Sequence, residues 1–166
     1  MADNFQSATK SAAAGGNTTI LPFAMQIKGQ SLRKCVEDYH KKAQGNMYID
    51  TSFHLIISDP TPQVLGQELP ALSKDGYTSF KVFMTYDDLV LNDKELIEVF
   101  DVAKRLKTLV MVHAEGYDSI KYLSDKFEKE GKTAPYYHAP TRPQIVEREA
   151  THLSLIHISE PTRPNT

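Results

Sequence analysis

The sequence predicts an α/β fold built on a parallel sheet, and three observations carry that expectation. Apolar, β-branched stretches begin at Thr18, Tyr48, Ser79 and Leu109, roughly thirty residues apart, which is the period of a βαβ unit. A segment with helical spacing separates each pair. The strands are nearly continuous in apolar residues, as expected of a parallel sheet covered on both faces. Two architectures share this pattern: a small open α/β sheet, and part of a (β/α)8 barrel. A complete barrel takes about 250 residues, so the 166 present here suffice only for a piece of one.

Each element has its own justification. From Asp3 to Ala14, Phe5, Ala8 and Ala12 fall at helical spacing, and Gly15-Gly16 supplies the stop. Thr18 to Ala24 is the first strand, ended or bulged near Pro22. Gln30 to Lys42 is an amphipathic helix with Leu32, Cys35, Val36 and Tyr39 on one face. Tyr48 to Ser58 is the second strand, stopped by Asp59-Pro60. Thr61 to Asp75 reads as a helix, or as two helical turns broken by Pro70. Ser79 to Tyr86 is the third strand.

Asn92 caps the next helix, with Glu95 placed three residues on as in a capping box, and Leu96, Phe100, Ala103 and Leu106 as its buried stripe. Leu109 to Glu115 is the fourth strand. A helix from about Asp118 to Glu130 follows, packed through Ile120, Leu123 and Phe127 and ended by Gly131. Thr133 to Arg142 reads as a surface loop, and Pro143 opens a last helix through Val146 and Ala150.

The composition narrows the function classes. Hydrophobic residues make up 40% and charged residues 24%, the balance of a soluble chain long enough for one core. A net charge of -2 offers no electrostatic footprint for nucleic acid or an anionic membrane. The single cysteine, Cys35, excludes an internal disulfide and fits a reducing compartment. No apolar run approaches the ~20 residues of a membrane helix. The N-terminus lacks a basic-then-apolar leader, so a cytoplasmic location is expected.

Phosphate-binding glycine motifs, a GxSxG elbow and Cys-His metal spacings are all missing. What remains is a set of polar residues late in apolar strands: His54, Lys81, Tyr86, His113 and Glu115. In parallel α/β folds that edge is where ligands bind. Lys81 lies between Phe80, Val82, Phe83 and Met84, a costly place for an ammonium. It either snorkels or pairs with a carboxylate, or it has lost its charge to serve a metal site. His54 and His113 each fit a hydrogen-bonded core histidine. His113 also fits a metal ligand one βα unit beyond Lys81. Tyr86 is either a rim aromatic or an oxyanion donor.

Several stretches together carry a family resemblance. These are Ala-Ala-Gly-Gly-Asn-Thr-Thr from Ala13, Phe-His-Leu-Ile-Ile-Ser-Asp-Pro from Phe53, and Ser-Phe-Lys-Val-Phe-Met-Thr-Tyr from Ser79. They continue with Leu-Val-Met-Val-His-Ala-Glu from Leu109, Lys-Thr-Ala-Pro-Tyr-Tyr-His-Ala-Pro-Thr-Arg-Pro from Lys132, and Val-Glu-Arg-Glu-Ala-Thr from Val146. In this order, from about Ala2 to His152, the chain resembles the dihydropyrimidinase/D-hydantoinase branch of the amidohydrolase superfamily.

The resemblance implies residues 1–152 as about four consecutive βα units of a TIM-type (β/α)8 barrel. It implies a cyclic amidohydrolase that opens dihydropyrimidines or 5-substituted hydantoins to N-carbamoyl amino acids. Two divalent metal ions, usually zinc, are implied as cofactors, bridged by a carbamylated lysine at Lys81, with His113 as a ligand to one of them. Tyr86 is implied as the residue that binds the substrate's ring carbonyl and stabilises its developing charge. The intact protein is implied to be a homotetramer.

The family's His-x-His pair precedes anything present here, and its later histidine, catalytic aspartate and β-sandwich domain lie beyond the matched stretch. Met1 then reads as an internal methionine, and this piece as inactive alone. Gly116-Tyr117-Asp118 stands where many relatives carry Asn-Gly-Asp. Allantoinase and dihydroorotase share the lysine and histidine. Non-catalytic scaffold relatives, the collapsin-response mediators, keep the fold but lose metal ligands, against which Lys81 and His113 argue. A small open-sheet binding module leaves Lys81 unexplained. The run from Leu153 to Thr166 resembles translated sequencing-adapter read-through. It is expected to be non-native, to break the helix begun at Pro143, and to offer no ligand at His157.

Overall fold

The computed structural model of the chain describes residues 3–159. Helix α1 (Phe5–Ala14) is capped by Asn4, whose side chain accepts from the Ser7 N–H, and it stops at Gly15. The first predicted strand is present as two pieces, β1 (Thr19–Ile20) and β2 (Phe23–Met25). The second is likewise split into β3 (Asp50–Thr51) and β4 (His54–Ile56). Pro22 is the cause. It has no N–H for the ladder, while its carbonyl still accepts from His54 N at 3.0 Å, so the ladder pauses and resumes.

Between them lies α2 (Leu32–Ala43), with Leu32, Cys35, Val36 and Tyr39 buried as the spacing predicts. Pro70 does not break the following segment. A π-helical turn over Val64–Glu68 runs directly into α3 (Leu69–Lys74). The missing proline donor is absorbed where the helix is already widened. Strand β5 (Ser79–Phe83) is shorter than the apolar run that announces it.

Helix α4 (Asp93–Leu106) has both halves of the expected capping box, Glu95 N to Asn92 Oδ1 at 3.0 Å and Asn92 N to Glu95 Oε2 at 2.8 Å. Its buried stripe is Leu96, Val99, Val102 and Ala103, whereas Phe100 and Leu106 are only partly buried. Strand β6 (Leu109–His113) and helix α5 (Tyr117–Lys129) follow, the latter with Ile120 buried. The predicted loop is a 3-10 segment over Pro135–Thr141.

Helix α6 (Gln144–Ser159) corrects one expectation. It does not stop before Leu153: Leu153 packs against the core beside Ala150, and Ser154 is buried. Apolar side chains one turn apart share a helix face, and Ala150 and Leu153 do so here. The side chain of His157 and residues 160–166 lie outside the described residues.

Strands β2, β4, β5 and β6 form one parallel sheet in that order, and β1 and β3 pair in parallel beside it. Spatial order equal to chain order has a consequence. Right-handed crossovers all step the same way, so their helices stack on a single face. Burial agrees: Ala24, Leu55, Phe80 and Val82 meet the inward residues of α2 and α4 in one core. The alternate residues Phe23, Met25, Lys81, Phe83, Met111 and His113 stand on the other face and keep solvent access. Coverage on both faces is therefore not what the described residues show. The strands are largely apolar, yet only one face is covered by helices.

Candidate active site at the ends of β5 and β6

The open face places two of the candidate residues on neighbouring strands. In the β5–β6 register Lys81 stands opposite Met111, and Phe83 opposite His113. Lys81 is half-buried, with Ile56 opposite it on β4. Its Nζ sits 5.0 Å from the centre of the Phe83 ring, and it makes no ion pair among the described residues. Burial lowers its pKa below the ordinary lysine value, because loss of water disfavours the ammonium.

The Phe83 ring lies between the two groups. It stacks on His113 with centroids 5.5 Å apart and planes 19° apart. Beyond β5 the backbone turns through Tyr86, whose φ of 73° is in the left-handed region, uncommon for a residue with a side chain. The Tyr86 carbonyl accepts from Leu89 N at 2.9 Å and Val90 N at 2.8 Å, which holds that turn. The phenol ring thereby comes back over the site, 5.1 Å from His113 and 5.9 Å from Phe83. Its Oη is 3.5 Å from His113 Nε2, too long for a strong hydrogen bond.

A closer partner holds that nitrogen. Glu115 Oε2 lies 2.6 Å from His113 Nε2, and Arg142 Nε approaches the other carboxylate oxygen at 3.8 Å. Asp87, next to Tyr86, accepts from Tyr117 Oη at 2.6 Å, which ties the β5 exit to the start of α5.

His54 is not part of this group. It stands nearer the start of the sheet, opposite Phe23, with Nδ1 2.5 Å from Ser79 Oγ, as expected of a hydrogen-bonded sheet histidine. A groove of about 700 Å³ beside α4, lined by Met84, Asn92, Tyr117, Glu149 and Leu153 among others, contains neither Lys81, Tyr86 nor His113. It lies away from the polar groups that can do chemistry. Among the described residues no three His, Cys, Asp or Glu side chains gather as a metal site, so Lys81 and His113 form at most part of a ligand set.

Sequence reasoning missed Arg142. It lies in the segment read as a loop, and only the 3-10 turn carries it to Glu115.

No family model matches the chain. Individual proteins do. The D-hydantoinase of Rhizobium radiobacter is 48% identical over 155 residues, 93% of this chain and 34% of the relative. The D-hydantoinase of Geobacillus stearothermophilus is 49% identical over 151 residues, 90% of this chain and 32% of the relative. The crystal structure of dihydropyrimidinase from Brevibacillus agri superposes with a TM-score of 0.91 at 42% identity, covering 95% of this chain and 34% of that one.

This chain is a homologue of the D-hydantoinases and dihydropyrimidinases. The resemblance read from the motif stretches is borne out, and the chain spans about a third of the length of the D-hydantoinases it matches. The described fold is α/β with parallel strands, and it superposes on a D-hydantoinase structure with a TM-score of 0.90 at 47% identity, covering 93% of this chain and 34% of that one. No helix among the described residues is long and apolar enough to cross a membrane.

Proposed function

We propose that the chain is part of the catalytic barrel of a metal-dependent cyclic amidohydrolase. The whole protein would open the ring of dihydropyrimidines or 5-substituted hydantoins to N-carbamoyl amino acids. One observation carries this reading. On a homologue of hydantoinases, a half-buried lysine with no ion pair among the described residues and a histidine whose ring lies 5.1 Å from a tyrosine stand on the same open face of two adjacent parallel strands, both against the Phe83 ring. Chain-order pairing with helices on one face is also how consecutive units of a (β/α)8 barrel are arranged, the open face becoming its interior.

The residues present suit two divalent cations in part. A lysine with a lowered pKa keeps more free amine at neutral pH, the form that takes up carbon dioxide to give an anionic carbamate. Lys81 would then offer two oxygens as a bridge, and His113 a ring nitrogen. The remaining ligands would come from strands outside this chain. When bound, such cations polarise an amide carbonyl and lower the pKa of a bound water.

The chain's own residues have separate tasks. Tyr86 donates its hydroxyl proton as a hydrogen bond to the ring carbonyl oxygen, where negative charge builds. Phe83 supplies an apolar wall against which the His113 ring stacks.

The test uses the complete gene product, assayed on dihydrouracil and a hydantoin with metal analysis beside turnover. Lys81→Ala is expected to lose activity together with metal, and His113→Ala to lose metal first. Tyr86→Phe is expected to keep its metal while kcat falls by about 10²–10³, the range for one lost oxyanion donor. Full metal occupancy and full turnover in Lys81→Ala would refute the assignment.

A further inference from the structure

We propose that Glu115, held by Arg142, is a positioning residue that fixes the His113 imidazole with its proton on Nε2 and its free lone pair on Nδ1. The contribution of this device to metal binding rests on the reading of His113 as a ligand. The device itself rests only on geometry.

An ionised carboxylate accepts hydrogen bonds and cannot donate them. Glu115 Oε2 stands 2.6 Å from His113 Nε2, so the nitrogen facing it carries the hydrogen. Of the two partners recorded for that nitrogen the carboxylate is much the closer, since Tyr86 Oη is at 3.5 Å. A neutral ring with hydrogen on Nε2 keeps its lone pair on Nδ1. Phe83, stacked on the ring with planes 19° apart, restrains it from flipping the two nitrogens.

Glu115 is itself restrained, with a side chain only 20% exposed and its second oxygen facing Arg142 Nε at 3.8 Å. Arg142 is placed in turn by the 3-10 segment. Its Nη1 lies 3.2 Å from both His138 Nδ1 and Thr141 Oγ1, and Thr141 Oγ1 donates to the His138 carbonyl at 2.7 Å. The order of control therefore runs from turn to arginine, carboxylate, imidazole and lone pair. A carboxylate behind an imidazole also makes the opposite nitrogen a stronger donor to a first-row divalent cation.

The full chain, labelled with ¹⁵N in histidine, tests this without any assay of activity. In metal-free buffer, at a pH where the ring is neutral, His113 is expected to show a hydrogen-bonded Nε2–H proton at low field. Exchange of that proton with water is expected to be slowed about tenfold or more relative to Glu115→Ala, the size of one hydrogen bond to a charged group. Glu115→Gln, whose amide oxygen still accepts, is expected to restore much of the protection. Arg142→Ala, which loosens the carboxylate without touching the histidine, is expected to give a smaller loss and decides the matter if Glu115→Ala does not fold. A proton on Nδ1 in the parent chain, or unchanged protection when the carboxylate is removed or loosened, would overturn the proposal. Adding Zn²⁺ to the complete gene product labelled in the same way, which carries the remaining ligands, separates the two ideas. If zinc leaves the Nδ1 resonance unmoved while the Nε2 pattern holds, the ligand reading fails and the positioning role stands.

Discussion

Replacing Lys81 by methionine should stabilise the fold, although Lys81 is the residue on which the proposed chemistry depends. Methionine has nearly the shape of the lysine stem and would meet Ile56, Met111 and the Phe83 ring on the open face. Two effects oppose each other. The lysine gives up its ammonium-to-ring contact at 5.0 Å, worth about 0.5–1 kcal/mol at a site open to water. The thioether recovers most of that through a sulfur–aromatic contact of about 0.3–1.5 kcal/mol. The burial of one more apolar group, at about 0.8 kcal/mol per methylene equivalent, then adds to the relief of an unpaired charge.

The net gain is about 1 kcal/mol, which for a chain of this length raises Tm by about 2–4 °C. Its pH dependence has a definite sign. The folded-state pKa of Lys81 is depressed below 10.5, so the contribution of its neutral form is complete above 10.5 and is lost as pH falls through the folded value. The parent chain therefore gains stability as pH rises toward 10.5 and Lys81→Met does not, so the advantage of the variant is largest at neutral pH and shrinks in alkali. Thermal unfolding followed by circular dichroism at several pH values measures both quantities. A variant less stable than the parent by 1 kcal/mol or more, or an advantage that grows with pH, would show that the lysine is stabilised by its surroundings.

Two further outcomes are expected. Glu68 is 2% exposed, and its carboxylate accepts from Leu32 N at 2.6 Å, Arg33 N at 3.2 Å and Gln63 Nε2 at 2.8 Å, capping α2 from another element. Glu68→Ala should cost about 2–4 kcal/mol in urea unfolding, because it leaves two helix N–H groups without their charged acceptor. Cys35 is 1% exposed, and burial pushes its thiol from 9.0 up to about 11. Its neutral form stabilises the fold fully below pH 9.0, and that contribution fades as pH rises through about 11. A thiol reagent at pH 8 should therefore react no faster than the chain opens, and prompt labelling of the native chain would contradict the burial.

The fold was legible wherever a local signal and the tertiary structure agree. The Asn92–Glu95 pair announces the start of α4 because both partners lie within one turn. Which apolar face of α4 is buried was not legible. Val99 and Val102 compete with Phe100 and Leu106, and only the position of the neighbouring strands decides between them. Glu68 reaches Leu32 across 36 positions, and no periodicity encodes such a contact. At the site, His113 closes β6, where residue type and strand end coincide, whereas Lys81 stands at the middle of β5 and was marked by its charge within an apolar run. Arg142 left no such trace, since a proline-rich segment reveals its turn only after folding.

The same alternation that divides core from site also protects the site. In β5, Phe80 and Val82 enter the core while Lys81 and Phe83 stand on the open face. A slip of one residue against β4 or β6 would exchange the two sets. It would drive the Lys81 ammonium toward the apolar core that holds Leu55, Leu96 and Val99, and expose two residues that are now fully buried. The energetic loss from burying that charge exceeds anything the slipped ladder can return in hydrogen bonds. Lys81 therefore helps to fix the register in which it faces His113's strand from the open side. Lys81→Met removes that penalty, so the variant that gains stability also becomes the one most tolerant of a shifted strand.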